Sequence, residues 1–301
     1  HPMSVLIVGS TALDSIKTPR RACAKLLGGS ASHASVAASF FAPVKMVGIV
    51  GSDFPTRYIA LYRRHGIDLA GLQRVEGRTF HWSGEYEVNM NNRRTLTTEL
   101  GVFEQFRPAL PPTHQTTPYV LLANIAPALQ HHVLDQMRRR RFVVADTMDL
   151  WLRIARADLL RLLRRVDALV LNDSEARDLA GTDNLFTAAA RIRRMGPRYV
   201  VIKKGEHGAV LSCPDSLFVC PAYPLARVTD PTGAGDSFAG GLVGYLASVK
   251  GPVERHLRRA MVYGSAVASF CCEGFGLSRT DRITRADIDA RVAELERLAR
   301  F

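Results

Sequence analysis

Short apolar, often β-branched runs alternate along this chain with longer stretches whose apolar residues recur at helical spacing. The runs Val5–Val8, Val44–Val50, Tyr119–Leu122, Phe142–Ala145, Ala168–Leu171, Tyr199–Lys203 and Ala209–Ser212 predict strands. Between them, Ser30–Phe41, Pro55–Gly66, Ala128–Arg139, Ala157–Arg165, Ser174–Ala180 and Leu185–Met195 predict helices. Three more helices follow, from about Asp236 to Ser248, Val253 to Cys271 and Arg285 to Ala299. Strands that are apolar throughout suit burial on both faces, and strand–helix alternation suits a mostly parallel sheet with helices on both sides. The expected fold class is α/β.

One segment breaks the rhythm. Arg78–Leu100, RTFHWSGEYEVNMNNRRTLTTEL, alternates with period two, which puts Phe80, Trp82, Gly84, Tyr86 and Val88 on one face of a strand and Asn89–Asn92 in a turn. This predicts a small β lid, formed by about 11–20 and 78–100, on a single domain spanning 3–301. No internal repeat or low-complexity linker divides the chain. No apolar run reaches the roughly 18 residues of a membrane span.

Composition narrows the class. Hydrophobic residues make up 47% of the 301 residues, enough for a sizeable core and against disorder. The five cysteines (Cys23, Cys213, Cys220, Cys271 and Cys272) are odd in number and include no CxxC, which fits reduced intracellular thiols better than a disulfide framework or zinc site. Net charge is +12, with arginines clustered at 138–141, at 161, 164 and 165, and at 191, 193 and 194. These clusters are scattered and lack interleaved aromatics, so they read as solvated helix faces and helix C-termini rather than a nucleic-acid surface. A positive field would still draw in an anionic substrate. The start, HPMSVLIVGS, lacks a basic leader region and a cleavage site; His1 and Pro2 before Met3 read as a cloning remnant, and a cytoplasmic protein is expected.

The densest chemistry lies in DPTGAGDSFAGG, residues 230–241. Small residues at a helix start expose backbone N–H groups where the helix dipole is positive, which makes an anion site. Asp236 in the same turn repels phosphate, so anion binding alone does not explain it. As a general base it takes a proton from a hydroxyl while the neighbouring amides hold a transferring phosphoryl group. A loop followed by an ordinary helix start is the bland alternative. Neither GxxxxGK[ST] nor a GxGxxG after the first strand is present.

DPTGAGDSFAGG resembles the C-terminal signature of the ribokinase family, the sugar and nucleoside kinases also called the phosphofructokinase-B family. Three further segments resemble family motifs in order: LGGSASHASVAASFF (27–41), LNDSEARDLAG (171–181) and VIKKGEHGAVL (201–211). The resemblance covers residue 5 to about 280. It implies a ribokinase-like fold and an ATP- and Mg²⁺-dependent kinase, with monovalent-cation activation also found in the family.

The roles it implies can be read position by position. Asp236 would be the base, and the amides of Gly233, Ala234 and Gly235 the anion hole, with Thr232 beside the nucleotide. Pro231 is inserted where the family usually reads Asp-Thr-Gly. Asn172 and Glu175 would arrange the nucleotide phosphates and Mg²⁺, Glu175 through water; read alone, they are also a helix cap. Lys203, Gly205 and Gly208 would line the nucleotide site, and 263–276 would border the adenine pocket. Asp14, Gly28, Gly29 and His33 would face the acceptor, with His33 standing where ribokinases carry asparagine. Asn124 and Asp146 sit at strand ends, where open α/β sheets bind ligands. The acceptor is expected to be the hydroxymethyl group of a sugar, or alternatively a nucleoside. A non-catalytic nucleotide- or sugar-binding regulator on the same fold is the reading from another class, and the presence of Asp236 argues against it. The resemblance also implies pairing of two chains through the lid.

Overall fold

In the first strand, β1 (Val5–Val8), Val5 and Ile7 enter one apolar core while Leu6 and Val8 enter another. A strand buried on both faces must be apolar at every position, which explains its unbroken run. The computed structural model describes residues 2–90 and 92–300; His1, Asn91 of the expected lid turn and Phe301 lie outside the described residues.

After β1 come β2 (Ala12–Lys17), β3 (Ala22–Gly28), α1 (Ser30–Ser39), β4 (Val44–Gly51), α2 (Thr56–Arg64), β5 (Asp68–Val75), β6 (Phe80–Tyr86) and β7 (Arg93–Glu99). The middle of the chain holds β8 (Tyr119–Leu122), α3 (Pro127–Gln136), β9 (Phe142–Asp146), α4 (Asp149–Ile154), α5 (Arg156–Leu163), β10 (Ala168–Asn172), α6 (Asp173–Ala180) and α7 (Leu185–Arg194). The remainder is β11 (Tyr199–Lys203), β12 (Ala209–Ser212), β13 (Leu217–Cys220), α8 (Ala234–Ser248), α9 (Leu257–Cys272) and α10 (Arg285–Leu298).

Nine strands form the large sheet, in the order β13-β12-β11-β10-β9-β8-β1-β4-β5. It is parallel from β5 to β11; β12 and β13 turn antiparallel at one edge. One face packs on α1, α8 and α9 through Ala34, Leu242 and Met261; the other packs on α3, α5, α6 and α7 through Val133, Leu162, Leu179 and Ile192.

The second sheet has four strands, β3-β2-β6-β7, and forms the lid. It is larger than its expected boundaries, because β3 joins it by pairing with β2. Tyr86 and Gly84 are buried as the alternation requires, but Val88 lies beyond the strand end and is 86% exposed. β5 and β13 also go unforeseen in the pattern. Gly71 and a register shift interrupt β5, and β13 is a half-exposed edge strand without a continuous apolar run. The helix expected from Val253 begins only at Leu257, after a short 3-10 turn. Two of the clustered arginines serve helix ends: Arg191 donates to the carbonyls of Ala180 and Gly181 at the C-terminal end of α6, and Arg165 pairs with Asp135 near the end of α3.

Candidate active site

Parallel strands that end at one sheet edge carry their last residues to a common place. Asp146 ends β9, Asn172 ends β10 and Lys203 ends β11, with Asn172 and Lys203 side by side in register. Lys203 Nζ lies 3.4 Å from Asp146 Oδ2, both side chains largely shielded from solvent. Lys203 stays protonated: burial opposes its charge, but Asp146, Glu175 and Asp236 together raise its pKa.

The glycine-rich turn meets these residues from the other side. Asp230 is fully buried and organises the turn by accepting hydrogen bonds from the N–H of Thr232 at 2.9 Å and of Gly276 at 3.1 Å. Gly233 follows at φ +79 as the N-cap of α8, and a Cβ there would collide with the His33 ring beneath it. Only glycine meets both demands. No side chain caps α8, unlike α6, so its first-turn N–H groups stay unclaimed by side chains. The Ala234 N–H donates to Pro231 O at 3.1 Å, whereas those of Gly233 and Gly235 make no hydrogen bond among the described residues. Lys203 Nζ stands 2.9 Å from where a Gly235 Cβ would be, so its charge adds to the helix dipole at one spot.

Three carboxyls around this spot are held far from their ordinary values. Burial, then the charge of Asp146, pushes Asp236 on the first turn of α8 up to about 7, against the pull of Lys203 and Arg93. Burial, then Asp230 and Asp236, pushes Asp14 up to about 8, again opposed by Arg93. Gly28 lies against Asp14 so closely that a Cβ would collide with the carboxylate. Burial pushes Glu175 up to about 7, opposed chiefly by Lys203. Glu175 Oε2 accepts from the Asn172 N–H at 2.8 Å, and Asn172 Oδ1 accepts from the Glu175 N–H at 2.8 Å. The pair is thus a reciprocal helix cap that holds a carboxyl at the site. Elevated carboxyl pKa values in a cleft mark a candidate functional site.

A cavity of about 530 Å³ opens beside α8, with Lys203, Gly205, Gly208, Gly235, Phe238 and Ala268 among its walls. The size and mixed lining suit a nucleotide-sized ligand. Gly29 forms the N-cap of α1, next to Gly28. His33 is 1% exposed and backs Gly233; burial lowers its pKa to about 4, and its Nε2 has no hydrogen-bond partner among the described residues. The Asn124 side chain is engaged with its neighbours, accepting from Trp151 Nε1 at 2.8 Å and donating to Met148 Sδ at 3.1 Å.

Two lid residues that the sequence does not single out by their chemistry reach the same place. The Tyr86 hydroxyl hydrogen-bonds Thr232 Oγ1 at 2.9 Å and ties the lid to the glycine turn. Arg93 pairs with Tyr86 across β6 and β7, its guanidinium lies 5.2 Å from the Trp82 ring centroid, and its charge reaches Asp14 and Asp236. In sequence, Tyr86 is one member of an apolar face and Arg93 one of many arginines. Only the strand register brings them to the acids.

A buried carboxyl thus stands on the first turn of a helix without a side-chain cap, close to a lysine and to the four-stranded sheet. The pfkB family carbohydrate kinase profile matches residues 5–283, and the chain belongs to that family, whose members are phosphotransferases with an alcohol group as acceptor. Among its relatives is the cytidine kinase of Thermococcus kodakarensis, 29% identical over 251 residues, covering 81% of this chain and 88% of that protein. The fold is ribokinase-like. The Methanocaldococcus jannaschii nucleoside kinase, described as an archaeal member of the ribokinase family, superposes with a TM-score of 0.78 at 21% identity, covering 97% of this chain and 99% of that one. The aminoimidazole riboside kinase of Salmonella enterica, solved with aminoimidazole riboside and an ATP analog, gives 0.78 at 18% identity, covering 96% and 99%.

Proposed function

We propose that the protein transfers the γ-phosphoryl group of ATP to a hydroxymethyl group of a sugar, with a nucleoside's ribose as the acceptor that the cytidine kinase and nucleoside kinase relatives favour. The observation that carries this reading is the position of Asp236, a buried carboxyl poised near pH 7 on the same helical turn as the free amides of α8 and below Lys203. Asp236 takes the proton of the attacking hydroxyl; a base with a pKa near working pH is effective at this. The Gly233 and Gly235 amides and Lys203 stabilise charge on the transferring group. Asp14, kept protonated by burial and then by Asp230 and Asp236, donates to or accepts from the acceptor's hydroxyls, and Gly28 leaves room for it.

The residues also fit Mg²⁺ of the kind held by few protein oxygens. Among the described residues no three His, Cys, Asp or Glu side chains form a closed cage. Glu175 and Asp146 lie close enough to feel each other's charge beside the cradle, which suits an ion that keeps its waters and shares oxygens with phosphates. Bound there, Mg²⁺ would neutralise phosphate charge; Glu175 would hold it through water.

The test is ADP release from ATP and Mg²⁺ against a panel of sugars and nucleosides, alongside Asp236→Asn. Turnover with one acceptor, falling by about 10³ in the variant, supports the reading and names the acceptor. ATP binding without turnover on any acceptor points to the regulator instead. Failure of ATP to raise the melting temperature overturns the nucleotide site.

A further inference from the structure

Next to the 530 Å³ cavity lies a second, larger cleft of about 740 Å³. One wall belongs to the lid, with the β2–β3 turn (Thr18–Arg21) and the residues after β6 (Val88–Met90). The other belongs to the body, with Leu225–Thr229 leading into the glycine turn and the segment from Gly274 to Ser278 after α9. The two cavities share Asn89, Met90, Leu225 and Val228.

Three of the lining residues are arginines (Arg20, Arg21 and Arg227), and none of the lining residues is acidic. None of these arginines forms an ion pair within 4.0 Å among the described residues, unlike Arg64, Arg165 and Arg291. Two acids flank the body wall: Glu273 is already claimed by Arg279 at 3.1 Å and Arg291 at 2.8 Å, and Asp230 is fully buried, accepting from the N–H groups of Thr232 and Gly276. The lid turn is held in shape: the Thr18 hydroxyl accepts from the Arg21 N–H at 3.2 Å, and the Arg21 guanidinium lies 5.9 Å from the Phe275 ring centroid across the cleft. Like charges thus face each other from lid and body with no counter-charge between them.

We infer that this cleft is a second anion-binding site, for a small molecule carrying phosphate groups, that bridges the lid to the body. Guanidinium groups bind phosphate oxygens in paired, planar geometry, and three that line a cavity without acidic residues match a multiply charged phosphate better than a carboxylate. A bound anion replaces repulsion across the cleft with attraction to both walls. Its entry at the mouth of the 530 Å³ cavity couples it to whatever that cavity holds. None of this depends on phosphoryl transfer.

Calorimetric titration with inorganic pyrophosphate at constant ionic strength tests it. The comparison uses the unmodified chain, Lys203→Ala, and the triple variant Arg20→Gln, Arg21→Gln, Arg227→Gln. All three arginines are exposed, and circular dichroism checks that the triple variant folds. Lys203→Ala is expected to keep one class of pyrophosphate site, and the triple variant to bind at that class at least about tenfold more weakly while retaining binding at the 530 Å³ cavity. Pyrophosphate binding unchanged in the triple variant overturns the inference. So does equal competition by chloride at matched ionic strength, which would mark a diffuse positive surface. A complete loss of pyrophosphate binding in Lys203→Ala also overturns it, since all binding would then belong to the 530 Å³ cavity.

Discussion

The body and the lid both supply charged groups to the candidate site, but they hold them differently. Asp146 and Lys203 end strands whose remaining residues are buried in two cores, so packing along the whole strand fixes where they point. In the lid, every residue of β7 is exposed, and Arg93 is placed by strand pairing, the Trp82 ring and the Tyr86–Thr232 hydrogen bond. Elements with few buried contacts open at low free-energy cost. The comparison teaches that charge on the body is fixed by core packing, while charge on the four-stranded sheet rests on a few surface contacts.

Lys203→Met gives the sharpest contrast. Removing the body's cation leaves Asp146, Glu175 and Asp236 without their shared partner, and kcat is expected to fall by about 10²–10³, the range for losing one preorganised charge-stabilising group. A loss under tenfold would break the distinction. Arg93→Gln on the lid is expected to cost about tenfold in kcat/KM, the equivalent of ~1.4 kcal/mol. Because Arg93 lowers the Asp236 pKa, the acid limb of the activity profile should also move to higher pH, which a purely structural role would not produce. An unmoved limb would place Arg93 outside the site's field.

Tyr86→Phe removes the latch to Thr232 together with the hydroxyl's contact to Arg93 and is expected to change kcat/KM by a few-fold, in line with a net ~1 kcal/mol hydrogen bond. A loss comparable to that of Lys203→Met would mean the lid is held as firmly as the body. The smallest effect concerns stability. Asp14, Glu175 and Asp236 have folded pKa values above their ordinary 3.8, 4.5 and 3.8, so the native state holds more protons than the unfolded chain between about pH 4 and 8. Stability contributed by these groups is therefore present at low pH and lost as pH rises through that window. The ligand-free Tm is therefore expected to fall as pH rises from 5 to 8. Asp14→Asn should flatten the slope, and a Tm that rises across this range would contradict the buried acids.

Much of this was legible in one dimension. Strands buried on both faces leave continuous apolar runs, so the body announced itself, as did the glycine turn with Asp236 on its helix. The edge strands β5 and β13 left no such run, because half-exposed strands tolerate polar residues and glycine. Asn172 and Glu175 support two readings, and the structure shows them in one as a cap that also presents a carboxyl. His33 matches a substrate-facing motif position, yet it packs wholly beneath Gly233. Sequence order says nothing about which side of a helix a ring will take.

By itself the sequence determined what local forces encode: alternating elements, a glycine-rich turn leading into a helix that carries Asp236, and the family to which these motifs belong. Tertiary structure alone decided which distant charges meet. Asp14, Arg93, Asp146, Lys203 and Asp236 come from five separate segments, and their pKa values follow from burial and mutual distance. Those quantities exist only once strand register and packing have brought the segments together.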